Sequence, residues 1–567
     1  MMCCNRVAVK RISMNRVGRW LAVVVLATLT TMLAACSASQ HGSGPIHHYQ
    51  VSNQPVPPAQ QIFRRTIQSS PRTLDPSLST GVPATNVLED LFEGLTSIDP
   101  SAKVVPGVAK SWTIRPDGKT YVFHLRHDAR WSNGAPVTAK DFVYAWRREV
   151  DPKTAAQYAE ALNPIVNAAA IISATLPPDK LGVTALDPYT LQVKLVAPTP
   201  YFLSVLSNTY YFPLYAPTIR KWAVSWTQPP HLIGNGAFYL KTWMINGHLT
   251  LLKNPYYWGA KKVRLQKVIV YPISDQSSIL ARYLADDLDF ANSPAFPPSD
   301  VDWLRHSLGS QLQIAPYYGN GFLGMLVHQP PFNNRDLRLA LSMALDRQVL
   351  SNKVGQGLTV PAYSLMPPLP GYTQQVPVWV SWPFSKRLTE ARRLYHKAGY
   401  SAKHPLRVRL LYPTGGPAQR HFMEAVTTMW KQNLGADVVL WNEQWKVMLQ
   451  DIQYKNAKLY WSAWIGDYPD PFTFMQQFQK GYAMNYGDFD YPAYQSLLAQ
   501  AQADPDNHTR YRLFGQAERV LNAQEPFIPM YFYTSDNLVK PYVAGWKANI
   551  LDRHLAQYIY IRKHQEH

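Results

Sequence analysis

The sequence predicts an α/β body of two or three lobes. Its 567 residues, 46% hydrophobic and 16% charged, exceed what one core fills on a prior of about 100–200 residues per domain. Short β-branched and aromatic runs alternate with runs of helical apolar spacing, the pattern of an α/β architecture. The only cysteines are Cys3, Cys4 and Cys36, so the rest of the chain must hold together without disulfides, which a body of this size permits.

Residues 121–125, 191–195, 268–272 and 406–412 read as strands. Residues 138–150 read as a helix with Thr138 as N-cap and Asp141 in its first turn. Residues 336–353 and 389–398 carry apolar side chains at helical spacing, the second run capped by Thr389 and ended by Gly399. No internal repeat is visible. Abundant Pro (46), Tyr (34) and Trp (17) can build a core or line a pocket that takes varied ligands.

At the N-terminus, Arg6, Lys10, Arg11, Arg16 and Arg19 precede an apolar stretch, residues 20–35, ending in Leu33-Ala34-Ala35-Cys36. A basic flank, a short apolar run and small residues before a cut describe an export signal. The stretch is shorter than the roughly 20 apolar residues of a comfortable membrane span. Its end resembles a bacterial lipobox, which implies that Cys36 is lipidated and becomes the first exported residue; the alternative is an uncleaved anchor helix. In either case the body lies outside the cytoplasm. Translation starts at Met1 or at Met14, since Met14 to Cys36 is a complete signal by itself. Residues 36–61, rich in Ser, Gly, Gln, His and Pro beyond the cysteine, are expected to form a flexible tether.

The formal net charge is +19, five of the positives lying in the leader. Lys and Arg are spread without a dense cluster, which excludes a nucleic-acid groove. A diffuse positive charge suits an acidic medium, an anionic surface or acidic ligands. The chain has no H-E-x-x-H helix, no G-x-S-x-G elbow, no cysteine nucleophile in the body and no Walker-type phosphate loop. His47 and His48 fall in the expected tether and the other histidines lack ligand spacing, so no metal and no cofactor is expected. Nothing positions a second catalytic group beside acid pairs such as Asp286-Asp287. An enzyme is not expected.

A series of segments in fixed order carries further information. Gly107-Val108-Ala109-Lys110-Ser111-Trp112 is followed by Phe123-His124-Leu125-Arg126, Trp131-Ser132-Asn133-Gly134 and Val137-Thr138-Ala139-Lys140-Asp141-Phe142. Gly234-Asn235-Gly236-Ala237-Phe238, Asn254-Pro255-Tyr256-Tyr257-Trp258 and Pro331-Phe332-Asn333-Asn334 come next. Leu339 to Arg347, Asn442-Glu443-Gln444-Trp445-Lys446 and Trp464-Ile465-Gly466-Asp467-Tyr468-Pro469 complete the series. Together, from about Gln61 to the C-terminus, they resemble the oligopeptide-binding proteins of bacterial ABC importers, a peptide/nickel-binding family of extracellular solute-binding proteins. Most of these segments read as architecture: Gly234-Asn235-Gly236 as a turn needing positive φ, and Asn254 to Trp258 as a turn with packing aromatics.

The resemblance implies a periplasmic-binding-protein-like fold of two main lobes and a hinge, with an extra inserted lobe. Lobe I would comprise 62–94, 217–318 and 535–567, lobe II 95–216 and lobe III 319–534. Ligand would be enclosed between lobes I and III by hinge closure. The protein would be a monomer serving a membrane permease whose partner subunits hydrolyse ATP, and its ligands would be short peptides.

Asp467 matches the family's aspartate that pairs with the ligand's α-ammonium. Every free peptide offers that cation, so one carboxylate can recognise the class. The alternative is that Asp467 only caps the turn into Tyr468-Pro469-Asp470-Pro471, a role better suited to Asp470. By the same resemblance, backbone groups of Ala463 and Ile465 would pair with an extended ligand as an added strand, with Gly81 and Val82 making the backbone contact from the opposite lobe. Trp445, Trp464, Tyr158 and Tyr317 match aromatics that wall the cavity, although core packing is the commoner use of any such ring. Asn485 is a further polar candidate. The chain departs from the family where an arginine that helps hold the ligand carboxylate is replaced by Trp461, where a histidine is replaced near Ala418 with Arg420 close by, and at Thr80, an acid elsewhere. The family's disulfide positions are Gly319 and Ile465. The amine end is thus retained and the carboxylate end altered, which leaves a murein-type peptide, a dipeptide or another cationic small molecule as alternative ligands.

Overall fold

The computed structural model describes residues 47–244, 247–414 and 417–566. The expected leader, Cys36 and the tether up to residue 46 lie outside the described residues. The four expected strands form at Thr120–Leu125, Thr190–Lys194, Lys267–Pro272 and Arg407–Pro413. The helix Ala139–Val150 starts at its expected cap, where the Asp141 carboxylate accepts from the Thr138 N–H at 2.7 Å and its hydroxyl at 3.1 Å.

Four expectations need correction. The tether reading of 47–61 fails because Tyr49–Pro55 is a strand, antiparallel to the C-terminal strand Tyr560–Glu566. Its partner lies some five hundred residues away, so composition alone could not signal it. The expected helix 336–353 is broken: Arg335–Met343 ends, and the Asp346 carboxylate caps a new start by accepting from the Gln348 and Val349 N–H groups. The helix predicted from Thr389 begins earlier, as Phe384–Lys397, and the Thr389 hydroxyl instead bonds back to Ser385 O at 3.0 Å. It does end before Gly399, at φ +91°. Gly234 and Gly236 serve close packing rather than positive φ, since a Cβ at Gly234 would sit 2.0 Å from Leu91 O and one at Gly236 2.5 Å from Asp90 O.

One eleven-stranded sheet runs through the body. At one end Ile62–Ile67 pairs in parallel with Lys267–Pro272, which is followed outward by Leu249–Lys253 and Phe238–Trp243. At the other end Arg407–Pro413 lies parallel to Asp437–Glu443 on one side and to Leu459–Ile465 on the other. The two ends are joined by the long antiparallel strands Leu312–Met325 and Phe527–Val539, in register from Leu312 opposite Leu538 to Gly324 opposite Phe527. Their pairing is interrupted between Pro316 and Asn320. A separate four-stranded antiparallel sheet is built from segments between residues 109 and 194.

The apolar side chains divide accordingly. Phe63, Trp131, Trp146 and Phe238 belong to one core, which also takes in the four-stranded sheet. Tyr318, Trp430, Tyr494 and Phe514 belong to a second, and Tyr283 and Leu304 to a smaller third. Burial on this scale is the main stabilising term. The strands Leu312–Met325 and Phe527–Val539 together contribute side chains to all three cores.

The loop following Leu459–Ile465 is secured by a buried ion pair. Arg510, on the helix Asn507–Gln524, donates Nη1 and Nη2 to the two Asp470 oxygens at 2.7 and 3.0 Å, and Asp470 also accepts from the Phe472 N–H at 3.0 Å. Asp470 therefore organises the turn as expected, with a bidentate partner in addition. Replacing Asp470 by Ala leaves the Arg510 charge buried and unpaired, so stability should drop by about 3–5 kcal/mol. In urea this appears as a lower midpoint at unchanged slope; an unaltered midpoint would mean the pair does not hold the loop.

Candidate functional site

The site begins with a strand that has one vacant edge. Leu459–Ile465 pairs along its whole length with Leu312–Met325, Ile465 opposite Gly319 and Ala463 opposite Gly321. Just past the strand, the Gly466 N–H donates to Tyr318 O at 2.7 Å. Antiparallel hydrogen bonding alternates, so Ala463 and Ile465 direct their N–H and C=O groups to the other edge. There Arg407–Pro413 pairs only with Leu459 and Tyr460. Among the described residues, no strand covers that edge from Trp461 to Ile465.

Gly466 then packs so closely on Tyr318 that a Cβ would lie 2.4 Å from the ring. This places Asp467 at the boundary with the part of the chain that precedes residue 216. Its carbonyl accepts from Asn208 Nδ2 at 3.2 Å, its N–H donates to Thr473 Oγ1 at 3.3 Å, and the neighbouring Tyr468 stacks on Tyr201 with centroids 4.3 Å apart. The side chain opens to solvent, yet protein atoms crowd it from most directions. Crowding pushes its carboxyl up to about 6. Among the described residues no ion pair and no hydrogen bond reaches its oxygens.

Four phenols sense this charge. Burial, and after it the Asp467 carboxylate, raise Tyr158, Tyr210 and Tyr482, the last to about 12. Burial also raises Tyr317, with Asp552 contributing more than Asp467. Tyr158 stacks on Tyr210 with centroids 5.4 Å apart, and the Gly81 backbone reaches its hydroxyl. Gly81, at φ +79°, caps the helix Val82–Leu91, whose first residue, Val82, is half exposed. The fold thus brings together Asp467, Tyr158, Tyr317 and Gly81 from four distant stretches. It adds Tyr210, Tyr482 and Asn208, which no local pattern marks.

The remaining candidates divide. Trp464 is part-buried, and its indole N–H donates to Thr473 Oγ1 at 3.1 Å, the hydroxyl that also receives the Asp467 N–H. Trp445, half exposed at the start of the helix Trp445–Gln453, meets Trp461 edge-on at 6.5 Å rather than Trp464. The Asn485 amide donates to Gln479 O and Phe489 O, its carbonyl accepts from the Phe489 N–H, and its backbone N–H donates to Tyr482 O at 2.9 Å. It shapes its own loop beside Tyr482.

At the altered end, Trp461 is buried against Trp445 and the Tyr531 phenol. Arg420 is exposed and pairs with Glu424 at 2.8 Å along its own helix. Thr80 and Ala418 are exposed. Gly319 and Ile465 do face each other, and the isoleucine fills the space: a Cβ on Gly319 would lie 2.4 Å from its Cδ1.

The family described as bacterial extracellular solute-binding proteins, family 5 Middle, matches residues 103–486. The chain belongs to the family 5 solute-binding proteins. This family 5 chain is 37% identical over 492 residues to the periplasmic murein peptide-binding protein MppA of Escherichia coli (strain K12), covering 86% of this chain and 91% of that protein. It is 35% identical over 508 residues to the periplasmic oligopeptide-binding protein OppA of the same strain, covering 89% and 93%. Among solved structures it is similar to the unliganded open form of the murein tripeptide binding protein MppA, with TM-score 0.80, 35% identity and coverage of 92% and 99%. The multi-lobed α/β reading agrees with these relatives, which are binding proteins rather than enzymes.

The tight contact at Gly319 yields a test of the vacant-edge strand. Gly319→Ala should lower stability by about 1–3 kcal/mol through overpacking against Ile465 and Tyr533. Adding Ile465→Ala should recover part of that loss, a non-additivity that denaturant titration of the four chains would measure. Strict additivity would mean that the two residues do not compete for the same space.

Proposed function

We propose that this family 5 protein is the extracytoplasmic receptor of an ABC-type importer and captures short peptides between its lobes, with the ligand's α-ammonium on Asp467. The observation that carries this reading is an acid crowded by protein, without a cationic or hydrogen-bonding partner at its oxygens, beside a vacant strand edge. A carboxylate in such surroundings gains from any cation brought to it. The backbone of Ala463 and Ile465 offers strand-like pairing that ignores ligand side chains. Gly81 and Val82 would meet the ligand from the opposite lobe, and Tyr158, Tyr317, Trp464 and Trp445 would wall it. Closure would draw the lobes together about the long strands, and the closed form would dock on permease subunits whose partners hydrolyse ATP. The receptor acts as a monomer held to the membrane by a lipid on Cys36, and the ligand leaves intact, with no metal or cofactor required. The names of the relatives, one binding oligopeptides and one murein peptide, support the ligand class.

A second ligand within that class is a murein-type peptide with a branched or blocked carboxyl end. Trp461 supports it, because an indole cannot pair with a free carboxylate as an arginine does. Mass spectrometry of material released from denatured protein separates the two: mixed peptides of several lengths mark the general receptor, one defined non-standard peptide the specialised one.

Asp467→Asn should weaken peptide binding by one to three orders of magnitude, following the roughly 2–5 kcal/mol of a desolvated charge pair that loses one member. N-acetylation of the peptide should cost the wild type a similar factor and the variant little. Equal affinity of the wild type for free and acetylated peptides would sink the assignment.

The pH dependence has a definite sign. Asp467 in the free protein is raised to about 6, so the cation-binding form is present above that pH. Affinity should be level above about pH 7 and fall toward tenfold per unit below pH 6, where binding releases a proton. Without ligand the same shift opposes stability, since ionisation of a crowded acid is unfavourable and its cost sets in as pH rises from the ordinary carboxylate range through 6. Calorimetric titrations between pH 5 and 8 should show the slope in the wild type and not in Asp467→Asn.

A further inference from the structure

His47 and His48 lack any ligand spacing along the chain. In the fold, His47 Nδ1 contacts Glu566 Oε1, 519 residues later, and lies 3.8 Å from Asp286 Oδ2. One ligand atom from each of the three residues falls within 4.8 Å of the other two. The second oxygen of Asp286 is already engaged, because Oδ1 accepts from the Tyr49 hydroxyl and the Lys540 ammonium. Lys540 is itself fixed, 3% exposed and 4.4 Å above the Tyr283 ring. Oδ2 is thus the oxygen turned toward His47.

We propose that His47, Asp286 and Glu566 form a site for one divalent transition-metal ion of the Zn2+ or Ni2+ type, which fastens the start of the body to its C-terminal strand. An imidazole nitrogen and two carboxylate oxygens each approach such an ion to about 2.0–2.2 Å, a geometry these groups reach by small rotations. The imidazole selects Zn2+, Ni2+ or Cu2+ over Mg2+ and Ca2+, which prefer oxygen alone. Tyr49 and Lys540 act on Asp286 from behind, as outer partners that orient a ligating carboxylate. Lys540 also offsets one of the two negative charges, so the ion binds less tightly than at two bare acids. Tyr49 opposite Glu566 is the terminal pair of the ribbon between Tyr49–Pro55 and Tyr560–Glu566. A metal bond there closes the ribbon at the end where its pairing stops. This inference does not depend on the peptide reading.

The test is calorimetric titration of the purified, chelator-stripped protein with ZnCl2, alongside thermal unfolding with and without the ion. One Zn2+ per chain and a raised unfolding temperature are expected, with no uptake of MgCl2 at the same concentrations. His47→Ala and Asp286→Asn should abolish stoichiometric uptake. Tyr49→Phe should weaken it about tenfold, and His404→Ala, at an exposed histidine elsewhere, should leave it unchanged. Glu566→Gln keeps the shape of the side chain and should reduce affinity at least about tenfold at an unaltered metal-free unfolding temperature. No stoichiometric uptake, or uptake that survives His47→Ala or Glu566→Gln, overturns the proposal.

Discussion

The antiparallel pairing of Leu312–Met325 with Phe527–Val539 is the constraint on which the rest of the molecule hangs. These strands extend the sheet that starts at Ile62–Ile67 into the one that ends at Asp437–Glu443, and their residues enter more than one of the apolar cores. Backbone hydrogen bonds tolerate changes of twist and bend that an interdigitated core does not. A join made of two strands therefore gives lobes that are each rigid while the angle between them is left soft. The break in pairing between Pro316 and Asn320 falls where side chains of the third core, Leu312 and Ile314, give way to those of the second, beside Tyr317 and Tyr318.

Against this scaffold, Asp467 contrasts with several buried acids whose charges are met within the fold. Glu518 is pushed up to about 7 by burial, but it accepts from the Tyr372 hydroxyl and the Met366 and Gln375 N–H groups. Glu93, also raised to about 7, accepts from Tyr257 and Trp258 at 2.6 Å each. Asp470 has Arg510. Each is expensive to bury and each is compensated within the fold. Asp467 stands three residues from Asp470, on a loop held in place by that neighbour's ion pair, and has no such compensation. A rigid loop presenting an uncompensated charge spends nothing on rearrangement when a cation arrives.

The same logic applies in weaker form at the opposite end of the chain. His47, Asp286 and Glu566 come from three segments that only the finished fold assembles, around a lysine and a tyrosine that already fix one carboxylate. The cluster is distant in sequence from every residue of the Asp467 site, and its effect would be on how firmly the body's first strand is held.

How much was legible in the sequence follows from the range of the forces involved. Some local signals held: the Thr138 cap with Asp141, the strand at 121–125 and the helix stop at Gly399 are decided within a few residues, whereas the Thr389 cap, the unbroken 336–353 helix and the positive φ at Gly234 and Gly236 did not form. The ordered motifs, read together, indicated the family, and the same resemblance singled out Asp467. The hydrogen bonds of Asn485 were not legible in the same way: a polar residue looks the same in sequence whether its amide is free or committed to Gln479 and Phe489. The sequence by itself determined the α/β class, the cysteine-free body and the chemistry available at Asp467. Only the tertiary structure decided that Tyr49–Pro55 is a strand, that Tyr210, Tyr482 and Asn208 surround Asp467, that Trp445 meets Trp461 rather than Trp464, and that His47 reaches Glu566. Each of these depends on partners brought together from remote parts of the chain, and such pairings are set by packing and backbone hydrogen bonding across the whole body, not by any pattern along a short stretch of it.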